Sequence, residues 1–128
     1  MAGPMAGDVT VTVTGLRSAK GNVLACLTAL PSAFPDCDKD RGARSVTVAA
    51  HTTVELDFGA VPAGHYAISL FHDENANGKL DKNLMMPREG YGFSRDAPVM
   101  MGPPSFAKAA FAVNGGKQHQ AIKMRYMF

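Results

Sequence analysis

The first strand that the sequence predicts lies near the amino terminus, where apolar and polar residues alternate strictly. After Asp8, residues 9–14 read valine-threonine three times over. In an extended chain, this period of two puts every valine on one side and every threonine on the other. The pattern is typical of a strand with one buried face and one exposed face.

Four more strands are predicted before residue 73. Residues 22–30 form an almost continuous apolar run that ends at Pro31, which favours a strand covered on both faces. Two short alternating stretches follow near residues 46–48 and 54–58, and residues 65–72 alternate over a longer span. This longer stretch is the best candidate for a central strand, and one of its faces carries Tyr66, Ile68, Leu70 and His72.

The remainder of the chain is less regular. Residues 73–105 show no sustained period, and residues 105–110 are compatible with a single helical turn. Phe111 and Val113 then lead into Asn114-Gly115-Gly116, whose Asn-Gly pair predicts a hairpin. The last strand is expected to present one face lined by Ile122, Met124, Tyr126 and Phe128.

About seven short strands without a long amphipathic helix predict an all-β protein, an antiparallel β-sandwich. The chain of 128 residues is long enough for one domain. We expect that domain to cover residues 8–128, with a long loop over residues 73–105. Residues 1–7 are expected to be an expression remnant or a disordered N-terminus, since they have neither the basic start nor the apolar stretch of a signal peptide.

Composition excludes several classes of function. The chain is 46% hydrophobic and 19% charged, which is enough apolar material for a core. No apolar stretch approaches the 18 residues of a membrane span, and the net charge of +2 comes without a basic run. We therefore expect neither a membrane span nor nucleic acid as a partner. An unknown protein or a component of the cell envelope is the expected partner, and the pattern does not indicate an oligomeric state.

Two cysteines, Cys26 and Cys37, are the even pair that a small exported domain uses for a disulfide. Pro31 and Pro35 between them allow the chain to fold back. Closing such a short loop would stabilise the fold by about 2–3 kcal/mol in the chain-entropy model. The alternative is two separate thiols, with Cys26 acting as a small buried hydrophobe.

A calcium-binding motif is the most informative feature of the sequence. Residues 73–81 read D-x-N-x-N-G-x-L-D, the first nine positions of an EF-hand-type loop. Oxygen atoms at positions 1, 3, 5, 7 and 9 of such a loop converge on one hard cation, and the glycine at position 6 allows the sharp turn. The expected ligands are the side chains of Asp73, Asn75, Asn77 and Asp81 and the backbone carbonyl of Lys79.

The motif departs from an EF-hand at position 12, where Leu84 replaces the bidentate glutamate. A strand is predicted before the loop and no helix after it, which excludes a helix-loop-helix sensor. Glu89 or Asp96 could complete the ligand shell from outside the motif. We expect a structural Ca²⁺ site of weak affinity, about 0.1–1 mM. The alternative is a metal-free turn in which the Asp and Asn side chains bond their own backbone.

Residues 87–94 alternate glycine with aromatic residues, which favours a packed loop over the edge of the core. The alternative interpretation is a ligand-binding rim made by Tyr91 and Phe93 with Arg88 and Glu89, and His72 could line the same pocket.

Two further functions have partial support in the sequence. A periplasmic carrier of copper, or of a small ligand, could use His72, nearby methionines and the Tyr91/Phe93 rim, although the histidines and methionines form no compact ligand motif. A hydrolase could combine Ser94, His72 and Asp96, but the sequence has no G-x-S-x-G nucleophile turn. We therefore expect a protein that is not an enzyme.

Three segments carry a family resemblance: G-H-Y-A-I-S-L-F-H-D-E-N-A-N-G-K-L-D at 64–81, P-R-E-G-Y-G-F-S at 87–94 and G-P-P-S-F at 102–106. With them, the chain resembles the exported bacterial family known as domain of unknown function 2141. The resemblance implies a periplasmic or secreted β-sandwich of immunoglobulin-like or prealbumin-like type. It implies no enzymatic activity and names no partner.

Overall fold

A computed structural model describes residues 6–37, 39–75, 90–98 and 103–126, and within them the fold is built from strands. The strands are β1 (Gly7–Thr14), β2 (Asn22–Thr28), β3 (Arg44–Ala49), β4 (Val54–Val61), β5 (Gly64–Asp73), β6 (Tyr91–Phe93), β7 (Phe111–Val113) and β8 (Gly116–Lys123). A short helix, α1 (Phe106–Ala109), and two 3₁₀ turns, Pro31–Ala33 and Ser94–Asp96, complete the described elements.

The strands form two sheets. The smaller sheet has the order β4-β1-β8, in which β1 is antiparallel to β4 and parallel to β8. The larger sheet has the order β3-β2-β5-β6, and β7 pairs with the first residues of β5. The predicted all-β sandwich is confirmed, and its pairs are antiparallel as expected except for β1 with β8, which is parallel. The predicted central strand is confirmed as well, because β5 pairs with β2, β6 and β7.

The core lies between the sheets and follows the alternation of the sequence. The three valines of β1 are buried, and so are the alternate apolar residues of β4. In β5, Ile68 and Leu70 are buried, and Tyr66 is partly buried against the same core. Each fully buried Val, Leu or Ile contributes about 1.5–3 kcal/mol relative to exposure. The largest completely buried apolar side chains are Leu27, Leu56, Ile68, Ile122 and Met124.

A second apolar cluster covers the outer face of the larger sheet. Phe34 packs edge-on against Phe93 and Phe106, with ring centroids 5.7 and 6.2 Å apart. The predicted disulfide between Cys26 and Cys37 is present and joins β2 to the loop that carries Phe34. This bond therefore holds an aromatic side chain against the sheet. It also reduces the conformational entropy of the unfolded chain.

Two local features differ from the prediction. β6 falls inside the stretch that was expected to be irregular, because three residues give too short a period to recognise. The Asn-Gly turn at residues 114–116 does not close a two-stranded hairpin. Instead, β7 pairs with β5 and β8 pairs with β1, so this turn carries the chain from one sheet to the other.

Within the residues that the structure describes, no helix is long and apolar enough to cross a membrane.

Candidate functional site

The calcium motif begins at the carboxyl end of the central strand. Asp73 is the last residue of β5 and is 1% exposed, whereas Asn75, two residues later, is exposed. The other predicted ligands, Asn77, Lys79, Asp81 and Glu89, lie outside the described residues, as does Arg88 of the proposed rim. The structure therefore describes the first three residues of the motif, 73–75, and the strand β5 that leads into them.

The two ends of the 73–90 segment lie side by side. The His72 backbone N–H donates to the Gly90 carbonyl at 2.8 Å, at the point where β5 and β6 adjoin. Gly90 packs so closely on Tyr126 that a Cβ added at Gly90 would lie 2.4 Å from the tyrosine ring. The segment that carries the motif thus starts and ends at neighbouring positions, which are joined by the His72–Gly90 hydrogen bond and packed against Tyr126.

Glu74 occupies the second position of the motif, which in such loops does not ligate the ion. Its carboxylate accepts a hydrogen bond from Arg17 Nε at 3.1 Å and one from the Ser18 hydroxyl at 2.8 Å. Arg17 also stacks over the Tyr126 ring, 4.5 Å from its centroid. These contacts join the loop after β1 to the start of the motif and fix the Glu74 side chain against Arg17 and Ser18.

The hydrogen bond from Arg17 is the main reason that the pKa of Glu74 lies below its usual value of 4.5. A carboxylate with a lowered folded-state pKa stabilises the protein above its unfolded pKa, and that contribution disappears as the pH falls through the folded value. We expect Glu74→Gln to lower the free energy of unfolding by about 0.5–1 kcal/mol at pH 7, since the pair is partly solvent-screened. The difference from wild type should begin to shrink as the pH falls below the usual glutamate pKa of 4.5 and should be lost as the pH passes through the lower folded-state value. Urea unfolding from pH 7 to pH 3 measures it.

Glu55→Gln serves as the matched control, since the Glu55 carboxylate lies on the exposed face of β4 and accepts only the Thr12 hydroxyl among the described contacts. A Glu74→Gln deficit that stayed constant from pH 7 to pH 3 would contradict the role assigned to the Arg17 pair.

His72 is completely buried on the inner face of β5 and both of its ring nitrogens have partners. Nε2 lies 2.7 Å from the Lys20 carbonyl oxygen, and Nδ1 lies 2.8 Å from the Tyr126 hydroxyl. A carbonyl oxygen can only accept, so Nε2 carries the proton, and in the neutral ring Nδ1 accepts from the tyrosine. The Tyr126 oxygen in turn accepts the Arg17 backbone N–H at 3.0 Å. The chain of bonds is complete without a metal ion.

Tyr91 and Phe93 lie on the opposite face of the same sheet from His72. Tyr91 pairs with Phe71 and Phe93 pairs with Ser69. Phe71 and Ser69 occupy odd-numbered positions of β5, whose side chains point to the face opposite to that of His72. Phe93 is 6% exposed and belongs to the outer aromatic cluster. The structure thus brings Tyr91 and Phe93 together and separates them from His72, because neighbouring residues of a strand point to opposite faces.

The three residues of the hydrolase hypothesis each have other partners. The Ser94 hydroxyl is buried, donates to the Ala109 carbonyl and accepts the Ile68 N–H. Asp96 accepts the Lys123 N–H at 3.1 Å and pairs with Arg125 at 3.0 Å. With His72 bonded to Tyr126 and Lys20, these side chains act as structural links between elements.

Among the described residues, no group of three or more His, Cys, Asp or Glu side chains is arranged to hold a metal ion. Sequence reasoning did not find the network of Arg17, Lys20 and Tyr126. These residues lie more than 50 positions from His72 or Glu74, and no local pattern connects them.

Comparison with known proteins identifies one family. A family model described as "Uncharacterized protein conserved in bacteria (DUF2141)" matches residues 11–121, a range that contains the whole 73–81 motif. No curated protein and no solved structure gives a match.

Proposed function

We propose that this chain, which belongs to the bacterial DUF2141 family, is a noncatalytic, exported binding or structural module whose 73–81 loop holds a Ca²⁺ ion. The expected ligands are Asp73, Asn75, Asn77 and Asp81 with the Lys79 carbonyl, and Glu89 is the candidate for completing the shell. The ion would order the loop rather than carry a signal, because the strand β5 leads into the motif in place of the first helix of a sensor.

The position of Asp73 is the observation that carries this proposal. The first ligand of the motif is the buried last residue of the central strand, and Glu74 is turned toward Arg17 and Ser18. A loop that closes on itself at a rigid base loses less conformational entropy when it binds an ion. The His72–Gly90 hydrogen bond supplies such a base.

Export is supported by the disulfide, since such bonds persist in oxidising compartments such as the periplasm or the cell exterior. Calcium sites of weak affinity suit extracellular modules, with dissociation constants of about 0.1–1 mM. The described residues give no support to copper carriage, because both His72 ring nitrogens are engaged and Met124 is buried in the core.

Thermal unfolding tests the calcium site directly. We expect about 5 mM CaCl₂ to raise the stability of the metal-stripped, oxidised protein by about 1–2 kcal/mol, through selective binding to the folded state. For a domain of this size, the midpoint should rise by about 3–8 °C. Mg²⁺ at the same concentration should have little effect, since it binds such loops less readily.

The variant Asp81→Asn should reduce the calcium-induced rise while leaving the midpoint in chelator nearly unchanged. Asp36→Asn is the charge-matched control, because Asp36 is exposed and lies in the disulfide loop, outside the motif. An equal rise in Asp81→Asn and Asp36→Asn, or no rise in wild type, would contradict the calcium site in this loop.

A further inference from the structure

We infer that β3 is an interaction edge and that a second copy of this chain pairs with it, antiparallel and centred on Thr47. The inference is independent of the calcium proposal. Among the described residues, β3 pairs with β2 on one side only, whereas the other edge strands are short, bulged or partly covered.

The other edges carry features that prevent strand addition. β4 has a bulge where its register with β1 shifts, and Gly59 there has a φ of +78°. The second half of β8 is covered by the 3₁₀ turn Ser94–Asp96, which reaches Gln120 and Lys123. β6 and β7 have only three residues each, and Tyr91 of β6 is already bridged to Arg125. Each of these edges is therefore unsuited to pairing with another chain.

β3 has none of these features. It pairs with β2 in continuous register from Arg44 to Ala49, without a bulge, and contains no proline. No ladder within the described residues occupies its second edge. Val46 and Val48 on its inner face are only partly buried, although they pack against the main core. A neighbouring strand would complete the burial of both valines.

The direction of the free backbone groups follows from one hydrogen bond. The Ala50 N–H donates to the Gly21 carbonyl at 3.0 Å, so residue 50 directs its backbone groups toward β2. Directions alternate along an antiparallel strand, and residues 44, 46 and 48 therefore also bond β2. The backbone groups of Ser45, Thr47 and Ala49 face the open edge.

A second copy matches this edge in one register. With Thr47 opposite Thr47 of the second copy, Ser45 lies opposite Ala49 and Val46 lies opposite Val48. Six backbone hydrogen bonds then satisfy all the outward groups of both strands, and the valines form one continuous inner row. Arg44, the only charged residue of β3, lies opposite Ala50, so no like charges face each other.

Sedimentation equilibrium between about 10 and 500 µM tests the inference, because an interface this small predicts a weak dimer. We expect the apparent mass to rise toward twice the monomer mass. Thr47→Pro should abolish the rise and keep the fold, since it removes only an N–H that faces the open edge. If wild-type protein stays monomeric throughout this range, the inference is overturned. That holds even if a different protein binds the same edge, because the inference names a second copy of this chain.

Cross-linking tests the register. Residues directly opposite in a hydrogen-bonded pair have Cα atoms about 5.5 Å apart, within the range of a disulfide. Thr47→Cys should therefore give a covalent dimer under mild oxidation. Ala49→Cys is the matched control, because in this register the two cysteines would be separated by about 13 Å along the strands. Equal cross-linking of both variants overturns the Thr47-centred pairing.

Discussion

Gly21→Ala is expected to lower the free energy of unfolding by about 3 kcal/mol or more, which corresponds to about 10 °C in the midpoint. Gly21 has a φ of +70°, a conformation that costs a residue with a side chain about 1–2 kcal/mol. A Cβ at this position would also lie 1.9 Å from the Asp73 carbonyl oxygen. The backbone at the start of the calcium motif would have to move, so the substitution affects both the fold and the site.

Gly59→Ala and Gly116→Ala separate the two causes. Both glycines have positive φ values, +78° and +71°, but a Cβ at either position meets no atom within 4 Å. Each should cost only about 1–2 kcal/mol, from backbone conformation alone. Urea unfolding of the three variants measures the difference. If Gly21→Ala were no more destabilising than Gly59→Ala, the close contact with Asp73 would not constrain the base of the motif.

Substitution of either His72 or Tyr126 is expected to lower the free energy of unfolding, because the two side chains belong to one hydrogen-bonded network. Tyr126→Phe removes the hydroxyl that joins the His72 ring to the Arg17 backbone, so two polar groups lose their partner. Leaving buried polar groups unpaired costs about 1–3 kcal/mol. His72→Leu keeps a side chain of similar bulk but leaves the Lys20 carbonyl without its donor and the Tyr126 O–H without its acceptor, and it should cost about 2–4 kcal/mol.

A double-mutant cycle measures the coupling between these side chains. The double variant should lose less stability than the sum of the single variants, because either substitution already breaks the shared hydrogen bond. Tyr66→Phe is the control, since that hydroxyl donates only to the nearby Pro62 carbonyl, and it should cost less than Tyr126→Phe. Strict additivity of His72→Leu and Tyr126→Phe would contradict a connected network.

The strands themselves were predictable because their information is local. The valine-threonine alternation of β1 and the alternation of residues 65–72 are properties of neighbouring residues. Burial follows the alternation throughout β1, and in β5 it departs from the alternation at Ala67, which is buried under the outer aromatic cluster. The disulfide could also be expected from two cysteines and the intervening prolines. The family resemblance rested on contiguous segments, and the match over residues 11–121 confirms it.

Placement of the candidate site residues could be predicted only in part. The motif at residues 73–81 is readable because its ligands recur at fixed spacing along one loop. His72 was grouped with Tyr91 and Phe93 because all three lie close to the motif in the sequence. The sheet register separates them, since His72 faces the core and the two aromatic residues face outward.

The sequence by itself thus determined the class of fold, the strands with a clear period, the cysteine pair and the calcium hypothesis, all of which depend on residues near one another in the chain. Only the tertiary structure decided that Arg17, Lys20 and Tyr126 complete the polar network around His72 and Glu74. It also decided that the Asn-Gly turn joins two sheets and that β3 is the last strand at one end of the larger sheet, among the residues described. Strand order and register arise from the joint burial of distant residues, and no local pattern encodes which strands will meet.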